Sequence, residues 1–293
     1  MTTAPGWDFE EGQEIVPERY ALRLLGGGHK YEAYLAFDEE LQCLVVAKLL
    51  RPHLVDDASS LRTLRAEARA VTQLNHPVLH RCFGVVADGP RPHLVLEHLE
   101  GPRLSTLLRR QTRLAIEQAI PLGLQLSSAL HYMHRQEIVH LDVKPKNVIM
   151  SASPRLIDLS VARSFSSARD ATDPVGTDAY MAPEQCEPKL LGGMGPAADA
   201  WGWGVTMYEA TTGVLPFPRV SDGVGPERWP QAHLDPAPVA GDVPPALSEL
   251  VMTCLEKRPE NRPPQSEIAA ALEPLSAALP RRRVLSRLRP GIR

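Results

Sequence analysis

The chain has 293 residues, 43% hydrophobic and 23% charged, with a formal charge of −3 at neutral pH. That length exceeds the usual size of a single domain and allows two lobes around one cleft. The composition is that of a soluble globular protein, and the weak net charge carries no basic footprint for nucleic acid. Cys43, Cys82, Cys186 and Cys254 are far apart, with neither metal-ligand spacing nor a disulfide framework, so a reducing cytoplasm is the expected compartment. The N-terminal MTTAPGWDFEEGQE is acidic and lacks the apolar core of a signal peptide. No run of 18 apolar residues occurs, so no membrane span is expected.

In chain order, residues 1–15 read as a polar arm. Residues 16–99 read as strands with one helix near 59–74, where LRTLRAEARAVTQL has helical periodicity and contains Glu67. Gly26, Gly27 and Gly28 separate two strand-like runs, residues 20–25 and 31–37. Ala47 and Lys48 end the apolar run LQCLVVAK. A further apolar strand, residues 93–96, leads into Glu97, His98 and Leu99. Residues 100–277 read mainly as helices, with apolar spacings of three and four over 104–110 and 116–135. Eight prolines between Pro216 and Pro245 predict a long non-helical connection, with at most one short helix near 227–231. The end of the chain, RRRVLSRLRPGIR, holds six Arg and no acid, and no internal repeat occurs.

The chemistry concentrates in IVHLDVKPKNVIM, which places Asp142, Lys144 and Asn147 on one short loop between apolar runs. Eleven residues past Asn147 a second acid, Asp158, stands in RLIDLSVA. Mg²⁺ on a polyphosphate takes hard oxygen ligands, including one or two protein carboxylates. One acid is then left to orient a hydroxyl nucleophile. This set resembles the catalytic loop and metal-binding Asp of the protein kinase superfamily. The remaining motifs arrive in that family's order between about residue 19 and 277: the glycine run, Lys48, Glu67, the segment from Gly176 to Glu184, the AspAlaTrpGlyTrpGly run from Asp199, and Arg262. More narrowly, the chain is similar to the compact eukaryotic-like Ser/Thr kinases of bacteria, without a membrane span.

The resemblance implies an α+β bilobal fold: a small β-rich N-lobe with one main helix over 16–99, a larger helical C-lobe over 100–277, and an ATP cleft between them. A basic tail, 278–293, follows. ATP and Mg²⁺ are the implied cofactors. Gly26, Gly27 and Gly28 would bring backbone N–H groups to the phosphates, and Ala33 would roof the adenine. Lys48, after Ala47, would grip the α and β phosphates and pair with Glu67. Glu97 to Leu99 would form the hinge, and Ile149 completes the implied nucleotide-binding set. Asp142 would accept the substrate hydroxyl's proton, and Lys144 would neutralise charge on the moving phosphoryl group. Asn147 and Asp158 would hold Mg²⁺. His140 would join Val71, Cys82 and Leu159 in an internal stack, Glu184 would pair with Arg262, and Trp201 and Trp203 would be core. The implied partners are ATP and protein substrates with Ser or Thr acceptors, with no nucleic acid; the tail could contact a membrane or a partner.

Four positions depart from the family pattern: Tyr31 replaces the third loop glycine, Ala33 a valine, Leu141 the arginine before the catalytic Asp, and Ser160 the glycine after the metal Asp. Tyr31 could cap the phosphates or obstruct them. Leu141 removes the cation that would receive an activation-loop phosphate. A pseudokinase acting as a nucleotide-binding or scaffolding module is the alternative reading. A small-molecule phosphotransferase shares the Asp–Asn loop but lacks the peptide-docking segment ending at Glu184.

Overall fold

The computed structural model describes residues 5–220, 228–239 and 241–280. The basic tail beyond 280 lies outside the described residues. Six strands form one antiparallel sheet in the order β1-β2-β3-β4-β6-β5. They are β1 (Glu14–Val16), β2 (Arg19–Gly27), β3 (Tyr31–Asp38), β4 (Cys43–Leu50), β5 (Cys82–Val86) and β6 (His93–Glu97). One helix, α1 (Ala58–Gln73), packs on the sheet, and the Asp57 side chain caps its start by accepting from Ser60 N–H.

Alternation divides the sheet into two faces. Ile15, Val16, Ala21, Tyr34, Ala36, Val45, Ala47, Leu49 and Val95 make one cluster. Val46, Leu94 and Leu96 face the other way and join Leu64 and Ala68 of α1. Residues 5–15, read from sequence as a polar arm, lie against the first face. Trp7 stacks on Phe9, Phe9 meets Tyr34 edge-on, and the Trp7 indole donates to Leu50 O at 2.8 Å. Two aromatics spaced by one residue are enough to anchor this acidic stretch along a sheet, although its acids stay exposed.

The second lobe begins with α2 (Leu104–Gln111) and α3 (Ile116–Arg135), as the sequence periodicity predicts. Short strands β7 (Ile138–Val139), β8 (Val148–Ile149), β9 (Arg155–Leu156) and β10 (Arg163–Ser164) bracket the loops of the cleft. Then come α4 (Phe165–Arg169), α5 (Pro183–Cys186), α6 (Pro188–Leu191), α7 (Pro196–Thr212), α8 (Pro230–His233), α9 (Pro245–Cys254) and α10 (Gln265–Ala277). The short helix expected within the proline-rich connection is α8, displaced a few residues toward the C-terminus. Helix α7 is buried on nearly every side, which makes it the axis of the lobe. Gly202 and Gly204 on it approach Val143 and Cys254 too closely for a Cβ without local shifts. Among the described residues no helix is long and apolar enough to cross a membrane.

One apolar core runs through the helical lobe and reaches α1 through Ala70, Val71 and Leu74. Val71 and Leu159 belong to it, partly buried Cys82 packs against it, and His140 is fully buried. Two polar groups inside this framework set measurable costs. The Arg262 guanidinium is bidentate to Glu184, at 2.7 and 2.9 Å, and also donates to the carbonyls of Ala197, Glu256 and Lys257. Every donor of the fork is therefore used. His80, beside the bridge between Leu79 and Leu156, is buried, and its Nε2 has no partner. Burial pushes its pKa down to about 4.

Two outcomes are expected. Arg262→Ala leaves Glu184 charged and unpaired in the core, so unfolding free energy should fall by roughly 3–5 kcal/mol; a negligible shift in the denaturation midpoint would contradict the burial of the pair. For His80, the folded protein keeps the ring neutral while the unfolded chain protonates near its ordinary pKa, so the unfolded state binds more protons in between. Stability should therefore be lost as pH falls from about 6.5 toward about 4, by roughly 3 kcal/mol in all. Midpoints measured at pH 7 and pH 5 should converge for His80→Leu relative to wild type; parallel losses in the two proteins would remove His80 as the cause.

Candidate active site

The cleft is lined from above by β2, β3 and β4. Gly28–Lys30 turn the chain between β2 and β3, with Gly28 N–H donating to Tyr31 O at 2.9 Å. Gly26 has φ of +140°, a conformation that a side chain would strain. Ala33 pairs with Lys48 across the β3–β4 ladder, so both project from the same face. Ala47, read as lining the nucleotide site, points the other way: it pairs with Tyr34 and is fully buried in the outer cluster. Period-two alternation puts Val46, not Ala47, on the face of Lys48.

Lys48 Nζ donates to Glu67 Oε1 at 2.6 Å and to Asp158 Oδ1 at 2.9 Å. Helix α1 supplies Glu67, which is 1% exposed and therefore depends on this partner. Burial opposes the ammonium, but the two carboxylates outweigh it and hold the Lys48 pKa above its ordinary value. Burial likewise opposes the Asp158 carboxylate, yet Lys48 holds its pKa well below the usual range. Glu67 is pushed up by burial, with Lys48 pulling against it. Asp158 sits at φ +69°, while Ser160 does not have positive φ. The turn therefore makes no demand for glycine at 160, and Ser160 N–H reaches Asp158 Oδ1 at 3.4 Å.

The lower wall is the loop from His140 to Asn147. It hangs from Asp199 of α7, whose carboxylate accepts from His140 N–H at 2.8 Å and Leu141 N–H at 2.7 Å. His134 of α3 contacts the same carboxylate at 2.8 Å. Leu141 adopts φ +63° and is 3% exposed, packed in the apolar core. These supports present Asp142 with both oxygens engaged. Thr177 Oγ1 donates to Oδ1 at 2.7 Å, and Oδ2 accepts from Lys144 Nζ at 2.5 Å and from Asn147 Nδ2 at 3.0 Å. Lys144 Nζ also reaches Thr177 Oγ1. Gly176, at φ +125°, lets the activation segment come so close that a Cβ would meet Leu141 O at 2.8 Å. Gln185 Nε2 fastens the same junction by donating to Leu141 O and Val175 O.

Asn147 Nδ2 also donates to Asp142 O at 3.0 Å, which leaves its Oδ1 without a role in that network. Asp158 uses Oδ1 for Lys48 and Ser160, and its side chain is 36% exposed toward the cleft, so Oδ2 remains available. One amide oxygen and one ionised carboxylate oxygen are hard donors of the kind Mg²⁺ takes. On the hinge, Glu97 turns its carboxylate to Arg81 N–H at 3.2 Å, and β6 holds its backbone beside Val45. Leu99 is half-buried and Ile149 nearly buried at the bridge to Arg103.

The sequence reading thus found Lys48, Glu67, Asp142, Lys144, Asn147 and Asp158, and the fold brings them to one cleft. It missed Thr177, named only as part of a segment, and Val46. The first could have been found from a hydroxyl beside an obligatory glycine, the second from strand parity.

A sheet-rich lobe and a helical lobe joined by a single hinge, with this Lys, Asp and Asn constellation between them, define the protein kinase fold. A family model described as protein kinase domain matches residues 20–272, and the chain belongs to that family. It is 30% identical over 259 residues to the serine/threonine-protein kinase PknB of Mycolicibacterium smegmatis, covering 84% of this chain and 41% of that protein. It is 32% identical over 254 residues to the serine/threonine-protein kinase PknA of Mycobacterium tuberculosis, covering 83% of this chain and 58% of that one. The chain thus aligns with about two fifths to three fifths of the length of these curated relatives.

If Lys48 holds the ATP phosphates, Lys48→Met should lower kcat/KM for ATP by roughly 10²-fold or more, because a cation is removed from a water-poor site. It also strands the buried Glu67. Unchanged steady-state kinetics in the variant would exclude this arrangement from phosphate binding.

Proposed function

We propose that the protein is a Ser/Thr protein kinase that transfers the γ-phosphoryl group of ATP to a hydroxyl of a protein substrate. The observation that carries this reading is the state of Asp142. Its two carboxylate oxygens are held by Thr177, Lys144 and Asn147, all within hydrogen-bond distance. A substrate hydroxyl taking the place of Thr177 Oγ1 against Oδ1 would be oriented for in-line attack. The forming bond joins that oxygen to the γ-phosphorus, the bond to the β-phosphate oxygen breaks, and ADP leaves. The hydroxyl proton passes to Asp142.

Lys144 sits between Asp142 and the Gly176–Thr177 segment, where it can offset charge on the transferring group. Lys48 would hold the α and β phosphates beneath the Gly26, Gly27 and Gly28 run, whose lack of side chains lets the loop backbone approach them while the Gly28 N–H itself serves Tyr31 O. Ala33 and Val46 above and Ile149 below would enclose the adenine, with the backbone of Glu97 and Leu99 at its edge. Asn147 Oδ1 and Asp158 Oδ2 would hold Mg²⁺, which supplies charge neutralisation across the phosphates when bound. Positioning is a large share of catalysis in this chemistry, so the rigidity of the loop matters more than the basicity of Asp142. The names of the relatives above and the Lys144–Thr177 contact support Ser/Thr as acceptors.

Asp142→Asn should lower kcat by roughly 10²–10⁴-fold while nucleotide affinity changes little, because none of the proposed adenine or phosphate contacts is removed. Purified wild type and variant with Mg²⁺ and labelled ATP give the comparison. Equal incorporation into a Ser/Thr peptide mixture would refute the assignment.

A further inference from the structure

Tyr31 opens β3 directly after the glycine turn. It lies two residues before Ala33 and so leaves the sheet on the face of Lys48. Lys48 Nζ stands 4.8 Å from the centroid of its ring. An ammonium has three N–H groups. Two directions go to Glu67 and Asp158, and the aromatic face is the third neighbour. The ring is held in place by the cluster of Leu64, Ala68, Leu94 and Leu96.

Two buried polar atoms here have no partner: the Tyr31 hydroxyl and Glu67 Oε2. One is a donor and the other an acceptor. Both residues flank the same ammonium, Glu67 at 2.6 Å and the Tyr31 ring at 4.8 Å from Lys48 Nζ, and burial first, then the charge of Glu67, push the phenol pKa up. Lone buried polar atoms are costly, and a donor and an acceptor on two residues that flank one ammonium can be satisfied together by a small rotation or one water.

We propose that Tyr31 is a positioning residue for the phosphate-binding lysine. Its ring face holds the Lys48 ammonium against Glu67 and Asp158, and its hydroxyl donates to Glu67 Oε2, directly or through one water. The proposal deepens the kinase reading and rests on it. With glycine at 31, Lys48 would be fixed by the ion pairs alone. The side chain adds a third constraint on the cation and a second on the carboxylate that orients it. The cation remains free to offer N–H to a phosphate by tilting across the ring, because a π face is not a directional acceptor.

The test compares wild type with Tyr31→Phe, Tyr31→Leu and Tyr31→Gly. Steady-state kinetics, equilibrium binding of ATP with Mg²⁺ and unfolding midpoints are measured on each. Tyr31→Leu keeps apolar bulk and loses the π face and the hydroxyl; KM and Kd for ATP should rise about tenfold, with kcat much less affected. Tyr31→Phe loses the hydroxyl alone and should raise them about threefold. If Tyr31→Leu also lowers the midpoint, the volume-conserving Phe variant decides. ATP affinity equal to or above wild type in Tyr31→Leu or Tyr31→Gly overturns the proposal, because the ring would then obstruct the phosphates. Wild-type affinity in Tyr31→Phe overturns the hydroxyl contact. If wild type binds ATP but transfers nothing, the kinase reading fails and the binding series still judges Tyr31. If wild type binds no ATP, both fail.

Discussion

The structure depends on one ammonium group held between two carboxylates from different parts of the chain. Lys48 lies on β4, Glu67 on α1 and Asp158 after β9, so the contact fixes sheet, helix and catalytic lobe relative to one another. Burying a lone lysine or glutamate is strongly unfavourable. Buried opposite charges at hydrogen-bond distance remove that penalty only while the geometry holds. The cluster is therefore a test of alignment as well as a source of stability. A shift of α1 that opened the Lys48–Glu67 contact would strand a carboxylate that is nearly inaccessible to water. Apolar continuity works in the same direction, since Val71 of α1 and Leu159 beside Asp158 share one core.

The helical lobe solves a different problem, which is to hold an irregular loop rigidly. Loop backbone N–H groups cannot pair with a strand, yet they must be satisfied when buried. Asp199 does this from the first turn of α7, accepting from two consecutive N–H groups of the catalytic loop. Helix α7 is in turn surrounded, with Arg262 donating to Ala197 O in its first turn and reaching Glu184 on α5. Loop, activation segment and central helix are thus linked by two buried charged groups whose donors and acceptors are used. The Leu141 side chain adds only apolar packing to this arrangement. The position of Asp142 is consequently set from below, by α7, and from the side, by Thr177 and Gln185. None of these contacts needs a cation at position 141.

How much of this was legible in the sequence depended on whether a feature was local. The loop acids, Asn147 and the Lys48–Glu67 spacing are carried by short motifs whose residue types already state the chemistry. The two early helices of the second lobe were visible from periodicity. Ala47 shows the limit of adjacency. Being next to Lys48 in sequence places a strand residue on the opposite face, and only the ladder makes that explicit. Trp7 and Phe9 were hidden by their acidic neighbours, although two aromatics in an otherwise polar stretch are themselves a sign of burial. Thr177 was hidden for another reason: its contact spans 35 positions and depends on Gly176 letting two loops meet.

Departures from a family pattern also divide by their surroundings rather than by their chemistry. Ser160 is harmless to the backbone because the positive φ falls on Asp158. Leu141 is accommodated by a core that treats it as one more buried apolar side chain. Tyr31 differs from both, since it brings a large ring and a donor beside the Lys48 ammonium. There an apolar filler would add no donor beside Glu67 Oε2, whereas a phenol supplies one. The same low-polarity enclosure that makes the Lys48 cluster costly to disturb also magnifies any additional hydrogen bond or π contact made inside it. A residue that gives up the backbone freedom of a glycine thereby places a ring and a hydroxyl beside the side chains of Lys48 and Glu67.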